Sequence, residues 1–310
     1  NGNRIWRVFV WANVCAVCVC LVAATWRFID EWHLRSAGVL PAGAPWTNHF
    51  FESRFSLFLH PSYMALYLCF ALALVQFSKG VEGKRMSWLA QLLLVIGVVL
   101  CNSKMGWLGL AVVMGIALWV GWRNRALRRR LIILALLGGT LFAGLFVAFP
   151  TVRGKVTQAI SATGPIDPHS DQSSALRRMA WDAAWGLFRE QPMAGVGTGD
   201  IKDELIASYQ RKGYIHAAEK RMNAHSQFFQ TAATLGILGL LCVLAIVVWP
   251  LINAVRNRGP LHVAFWLLIL LNWSVESMGE VQAGVLFFVC VAWLLELSAA
   301  DDWPKDGQVE

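Results

Sequence analysis

The stretch N-A-H-S-Q-F-F-Q-T-A-A-T-L-G-I-L-G, Asn223 to Gly239, decides the fold. Upstream lies the only long polar segment of the chain, and downstream its residues run into an apolar block over 226–252. A block of that length reads as a membrane-spanning helix, because about 20 apolar residues cross a bilayer. His225 stands at the junction, where an imidazole reaches water on one side and lipid on the other.

Working outward from this junction, seven more apolar blocks recur, near 5–26, 62–78, 87–101, 106–122, 131–150, 261–276 and 282–299. The chain has 310 residues, 57% hydrophobic and 15% charged, whereas soluble domains are usually about a quarter charged. Its sixteen Trp residues fit the same picture, since indole rings favour the membrane–water boundary. The expected fold class is an all-α integral membrane protein, with about 8 transmembrane helices in this chain and a long, partly helical loop.

A net charge of +8 raises the question of nucleic acid. The placement of the charge excludes that partner. With the N-terminus in the cytoplasm, the cytoplasmic segments hold thirteen basic residues: Arg4, Arg7, Lys79, Lys84, Arg85, Arg123, Arg125, Arg128, Arg129, Arg130, Arg256, Arg258 and Lys305. The short outer connections hold four, Arg27, Arg35, Arg54 and Lys104. That asymmetry is the positive-inside pattern, and it orients the chain. The seven cysteines fall in or beside apolar blocks, so no disulfide framework is indicated. Cys15, Cys18 and Cys20 are scattered around one helix and read as small packing residues rather than metal ligands.

Three regions follow. Residues 1–150 hold five spans and the outer segment 27–61, residues 151–225 form a loop domain, and residues 226–310 hold three spans and a cytoplasmic tail. A loop of that length carries function or structure of its own. Two helices are expected in it. One covers about 173–190, capped by Ser173 or Ser174 and followed by Pro192 and the turn-rich G-V-G-T-G-D; the other covers about 200–212, ended by Gly213. The chain opens N-G-N-R without Met and without a cleavable signal, and reads as a fragment of a longer protein.

His225 is the first candidate for chemistry, since a neutral imidazole accepts a proton from an attacking hydroxyl; the plain alternative is an interfacial histidine that caps the next helix. Arg177 and Arg178 come second, because guanidinium forks grip phosphate and stay charged. Arg177, Trp181 and Trp185 recur on one helix face, and the alternative is an arginine snorkelling over tryptophan. Cations at a helix start are misplaced unless an anion is bound. Lys104, in the turn C-N-S-K-M-G, is a charge beside the membrane with no acidic neighbour in sequence; it is either functional or a snorkelling lysine. Arg54 is a further phosphate candidate, and His60, before Pro61, reads as a structural cap. Glu276 and Glu280 are four apart and share a face if the helix continues; they read as ion-pair partners of Lys104 or an arginine, with sugar hydroxyls as the alternative. G-V-G-T-G at Gly195 to Gly199 lacks dinucleotide spacing, and G-V-E-G-K at Gly80 to Lys84 is too short for a phosphate loop.

Four features occur in order: a short S-K-x-G turn between spans, a long outer loop, a helix reading S-x-x-x-R-x-x-x-W that ends in P-x-x-G-V-G, and N-A-H-S-Q-x-x-Q-x-x-x-x-x-G-x-x-G opening the next span. Together, over roughly residues 50–295, they resemble the O-antigen ligase and Wzy-type polymerase superfamily. The resemblance implies a multi-pass glycosyltransferase of the bacterial inner membrane with its site facing the periplasm. It implies an undecaprenyl-diphosphate-linked glycan as donor, lipid A core oligosaccharide as acceptor, and no cofactor or metal. It implies that the family's loop histidine is His225 and its loop arginine Arg177, with Arg178 a near alternative. The family's S-R turn is S-K here, so Lys104 keeps the charge without the bidentate fork. Members typically have about twelve spans, which places further helices ahead of residue 1. A repeat-unit polymerase and a protein O-oligosaccharyltransferase share this chemistry and stay open as readings. A transporter or flippase predicts discontinuous helices and charges deep in the bilayer, and a non-catalytic scaffold is the third class.

Overall fold

The computed structural model describes residues 2–41, 46–78, 84–122, 124–161 and 164–301. Lys79, Arg123, Lys305 and most of the G-V-E-G-K segment lie outside them. Among the described residues there is no strand. The α-helices are α1 (Gly2–Ser36), α2 (Glu52–Phe55), α3 (Pro61–Phe77), α4 (Lys84–Leu100), α5 (Lys104–Gly121), α6 (Arg125–Ala148), α7 (Pro150–Ser161), α8 (Ser173–Glu190), α9 (Ile201–Arg211), α10 (Ile215–Glu219), α11 (Gln227–Asn253), α12 (Pro260–Val275) and α13 (Gln282–Asp301).

Each of the eight apolar blocks is helical. Four helices are long and apolar enough to cross a membrane: Arg4–Ser36, Lys104–Gly121, Leu131–Ala148 and Gln227–Asn257. Four shorter apolar helices accompany them, Pro61–Phe77, Trp88–Leu100, Pro260–Val275 and Gln282–Ser298. The long spans leave large apolar side chains uncovered, with Trp119 81% and Trp249 76% exposed, as helices whose solvent is lipid do. This is an all-α membrane protein.

The chain divides into two compact units, Asn1–Ala148 with Leu294–Glu310, and Phe149–Trp293. In the first, α3 is the central element: from Pro61 to Leu74 its residues are buried except Tyr67, the mark of a helix enclosed on all sides. Small residues let its neighbours approach. A Cβ on Gly97 would come within 2.6 Å of Val17 and 2.9 Å of Leu68, and one on Gly106 within 2.7 Å of Ala65. In the second unit, Leu176, Met179, Ala180, Ala183, Ala184 and Leu187 of α8 pack against Ile201, Leu205 and Tyr209 of α9 and Ala217 of α10.

Three expectations are corrected. The first helix continues to Ser36, ten residues past the expected end. Helix α7 was not anticipated: the loop was expected to hold two helices, and Pro150 starts a further one, where its missing N–H costs nothing. The N-cap of α8 is Gln172 rather than Ser173 or Ser174; the Ser173 hydroxyl accepts from Arg177 instead. The second loop helix ends as expected: Gly213 takes a φ of +70° and Tyr214 N–H returns to Tyr209 O, closing the helix with a left-handed residue.

Candidate active site

The motif N-A-H-S-Q-x-x-Q is a set of ties around one turn. Asn223 Oδ1 accepts from His225 N–H at 3.0 Å, and Asn223 Nδ2 donates to Glu280 Oε2 at 3.1 Å. Ser226 Oγ donates to Trp273 O at 3.3 Å. Gln227 Oε1 accepts from Gly279 N–H at 2.7 Å, and Gln230 Oε1 from Ala224 N–H at 2.9 Å. The fully buried Tyr209 donates to the carbonyls of Met222 and Asn223. The polar residues of the motif thus bind the start of α11 to the α12–α13 turn.

His225 itself adopts a φ of +45°, a region that non-glycine residues seldom enter. Three contacts hold it there: its N–H on Asn223, its carbonyl accepting from Trp181 Nε1 at 3.1 Å, and its Nδ1 3.2 Å from Glu276 Oε2. A backbone outlier persists only where its surroundings over-determine it, and such residues cluster at functional sites.

The other oxygen of Glu276, Oε1, accepts from Arg177 Nη2. Arg177 also donates from Nε to Val275 O at 3.2 Å and from Nη1 to Ser173 Oγ at 3.3 Å. One buried carboxylate therefore joins guanidinium and imidazole. Burial pushes the Glu276 carboxyl upward, but the His225 hydrogen bond and the Arg177 charge outweigh it and hold the pKa below its ordinary value. At neutral pH it is ionised. The misplaced helix-start cation already has an anion, supplied by the chain itself. Arg178, half-buried one position on, has no carboxylate partner among the described residues.

Glu276 and Glu280 do not share a helix face. Helix α12 stops at Val275, Glu276 is extended, and a 3₁₀ turn follows over Met278–Glu280. Glu276 pairs with Arg177. Glu280 lies over Asn223, and its burial outweighs the hydrogen bonds from Asn223 and Gln230, raising its pKa.

Helix α11 breaks at Gly236, whose φ is +68° and ψ −157°. The carbonyls freed there are taken by the segment after α8: Val196 N–H donates to Ala233 O and Gly197 N–H to Thr234 O, both at 2.9 Å, while Ile237 N–H donates to Pro192 O at 2.7 Å. This is the role of P-x-x-G-V-G. A Cβ on Gly195 would meet Thr234 backbone at 2.4 Å, and one on Gly236 the Met193 carbonyl at 2.4 Å.

Lys104, Arg54 and His60 belong to the first unit. In the S-K-x-G turn, Ser103 caps α5 by accepting from Gly106 N–H at 3.3 Å, and Lys104 is the first helical residue. His60 caps α3 by accepting from Ser62 N–H. The Arg54 side chain is exposed. Sequence reasoning missed Asn102 and Glu52. Both are left-handed, at φ +48° and +59°, and Asn102 Nδ2 donates to Glu52 Oε1 at 3.2 Å. Asn102 stands in C-N-S-K and is a residue type that tolerates this region; nothing in the sequence marks Glu52. Glu31, which accepts from His49 Nε2, Thr47 N–H and Arg35, was also missed.

A family model described as O-Antigen ligase matches residues 89–244, half of the chain. The chain belongs to the O-antigen ligase family. The matched O-antigen ligase segment takes in Lys104, Arg177, Arg178 and His225, while Arg54, His60, Glu276 and Glu280 lie outside it. It spans parts of both compact units. No curated protein matches the chain. Membership makes the protein an O-antigen ligase-like glycosyltransferase of a membrane.

Proposed function

We propose that the protein transfers a glycan from undecaprenyl diphosphate to a hydroxyl of lipid A core oligosaccharide, at the periplasmic face of the bacterial inner membrane, with inversion and without a metal. The observation that carries this reading is Glu276, whose two oxygens meet Arg177 and His225.

With Glu276 ionised, the proton of His225 sits on Nδ1, facing the carboxylate, and Nε2 keeps its lone pair. Nε2 removes the proton from the acceptor hydroxyl, and that oxygen attacks the anomeric carbon from the face opposite the departing diphosphate. The imidazolium so formed is balanced by Glu276, much as a buried carboxylate serves a catalytic histidine elsewhere. Three of the five N–H bonds of Arg177 are already engaged, and its charge is partly offset by the Glu276 carboxylate that it shares with His225. The remaining two hydrogen bonds orient the diphosphate, and Arg178 supplies uncompensated positive charge for the leaving group.

The break in α11 at Gly236 is the discontinuity a transporter would show. Its freed carbonyls, however, accept from Val196 and Gly197 backbone N–H, which leaves them poorly placed to ligate an ion and weighs against that reading.

The test is transfer by purified protein from lipid-linked donor, with chelator present. His225→Ala is expected to abolish transfer and retain donor binding. Transfer by His225→Ala at the wild-type rate removes the base. Whether label reaches lipid A core, lipid-linked polymer or protein separates ligase from repeat-unit polymerase and protein O-oligosaccharyltransferase.

A further inference from the structure

Helix α8 has three faces. Leu176, Met179, Ala180, Ala183, Ala184 and Leu187 are buried against the rest of the unit. Arg178, Asp182 and Arg189 form a charged flank. Between them runs a stripe that starts at Arg177 and continues through Trp181, Trp185 and Phe188, the i, i+4, i+8 and i+11 positions of one face. Phe229 of α11 joins the stripe: it stacks on Trp181 with centroids 6.0 Å apart and meets Trp185 edge-on at 6.3 Å. Phe188 lies 5.1 Å from Trp185. Trp181 is tied to the His225 carbonyl, so the stripe begins at the candidate site. Its second indole, Trp185, is 44% exposed.

We propose that this stripe is a glycan-binding ledge, on which the sugar rings behind the reacting one lie while the bond is made; this rests on the glycosyl-transfer reading above. A pyranose ring presents polarised C–H bonds on its faces and hydroxyls around its rim. The faces are attracted to the electron-rich face of an indole, and the rim needs hydrogen-bonding groups alongside. The charged flank provides them: Asp182 accepts from Lys212 Nζ and from Tyr214 hydroxyl, each at 2.8 Å, and both Asp182 and Lys212 remain partly exposed. Arg177 to Trp185 spans about 12 Å at the helical rise, room for a short run of rings. An acyl chain is the poorer occupant, because sinking Trp185 into hydrocarbon would bring Arg178, Asp182 and Arg189 toward it.

The experiment uses the full chain in nanodiscs and, as probe, the oligosaccharide released by mild acid from the host's own lipid-linked donor. Titration calorimetry is expected to show binding by the wild type, weakened about tenfold in Trp185→Ala and mostly restored in Trp185→Phe. Thermal unfolding of Trp185→Ala is expected to match the wild type. No binding by the wild type, equal binding by Trp185→Ala, or a loss accompanied by a lowered melting temperature overturns the ledge. Trp185-dependent binding without any transfer activity sinks the proposed reaction and leaves the ledge standing; transfer that is indifferent to Trp185, with no binding, does the reverse.

Discussion

At the scale of single residues, Glu276 carries the most consequence. It is 51 positions from His225 and 99 from Arg177, yet it touches both. Glu276→Gln keeps the shape and removes the charge that fixes the Nδ1 proton and balances the imidazolium. The rate of transfer at saturating donor is expected to fall on the order of 10²–10⁴-fold, the range positioned acid–base groups contribute, with donor KM little changed. A variant that loses affinity and keeps its rate would make Glu276 a binding residue instead. The same carboxylate sets a pH dependence. Its folded-state pKa is below the ordinary 4.5, so its stabilisation is fully present above that value and is lost as pH falls through the lower folded value. Glu280 runs the other way: its raised pKa favours the fold while protonated, and that contribution fades as pH rises through the folded value. Melting temperature followed as pH is lowered through the carboxylate range is expected to drop less steeply on the acid side in Glu276→Gln than in the wild type. Identical acid limbs would show that the pairing adds nothing to stability.

At the scale of elements, the apolar blocks were legible because lipid imposes a length and a composition on each helix. The loop helices α8 and α9 were legible through their periodicity and their stops at Pro192 and Gly213. What was not legible was pairing across distance. Nothing local in P-M-A-G-V-G says that its amides fill the break in α11, and nothing in L-G-I-L-G says that Gly236 adopts a φ of +68°. His225 and Arg177 could be picked out as residue types, but the carboxylate between them was placed only by the fold. The condition for Glu280 to share its face, a helix continuing past Val275, is not met, because α12 ends one residue before Glu276. The splice gives a prediction. Ala at Gly195 or Gly236 puts a Cβ onto backbone at 2.4 Å and at a positive φ, where the backbone cannot give way as a flexible side chain would. Each is expected to cost about 1–3 kcal/mol or more, read as a lowered melting temperature in detergent. Gly197→Ala is the control: it shares the positive φ but meets nothing within 4 Å, so it is expected to carry only the conformational part of the cost. Equal losses at Gly195 and Gly197 would mean that the close approach does not matter.

At the scale of the whole molecule, charge decides which side of the membrane the loop is expected to face. Arg256 and Arg258 follow α11, and Arg125, Arg128 and Arg129 open α6; the positive-inside rule puts both groups in the cytoplasm. Asp171, before α8, and Asn257, after α11, are both exposed and are separated by one apolar helix long enough to cross a bilayer, Gln227–Asn257. Their sidedness therefore does not depend on how the four shorter apolar helices are counted. In a background lacking the seven native cysteines, Asp171→Cys is expected to react with a membrane-impermeant maleimide in cells whose outer membrane has been opened. Asn257→Cys is expected to react only after the inner membrane is broken. Labelling of both from one side would mean that α11 does not cross. The reverse pattern would put His225 in the cytoplasm, where a periplasmic acceptor never meets it, and the ligase reading would fall with the orientation even if every contact around Glu276 were correct.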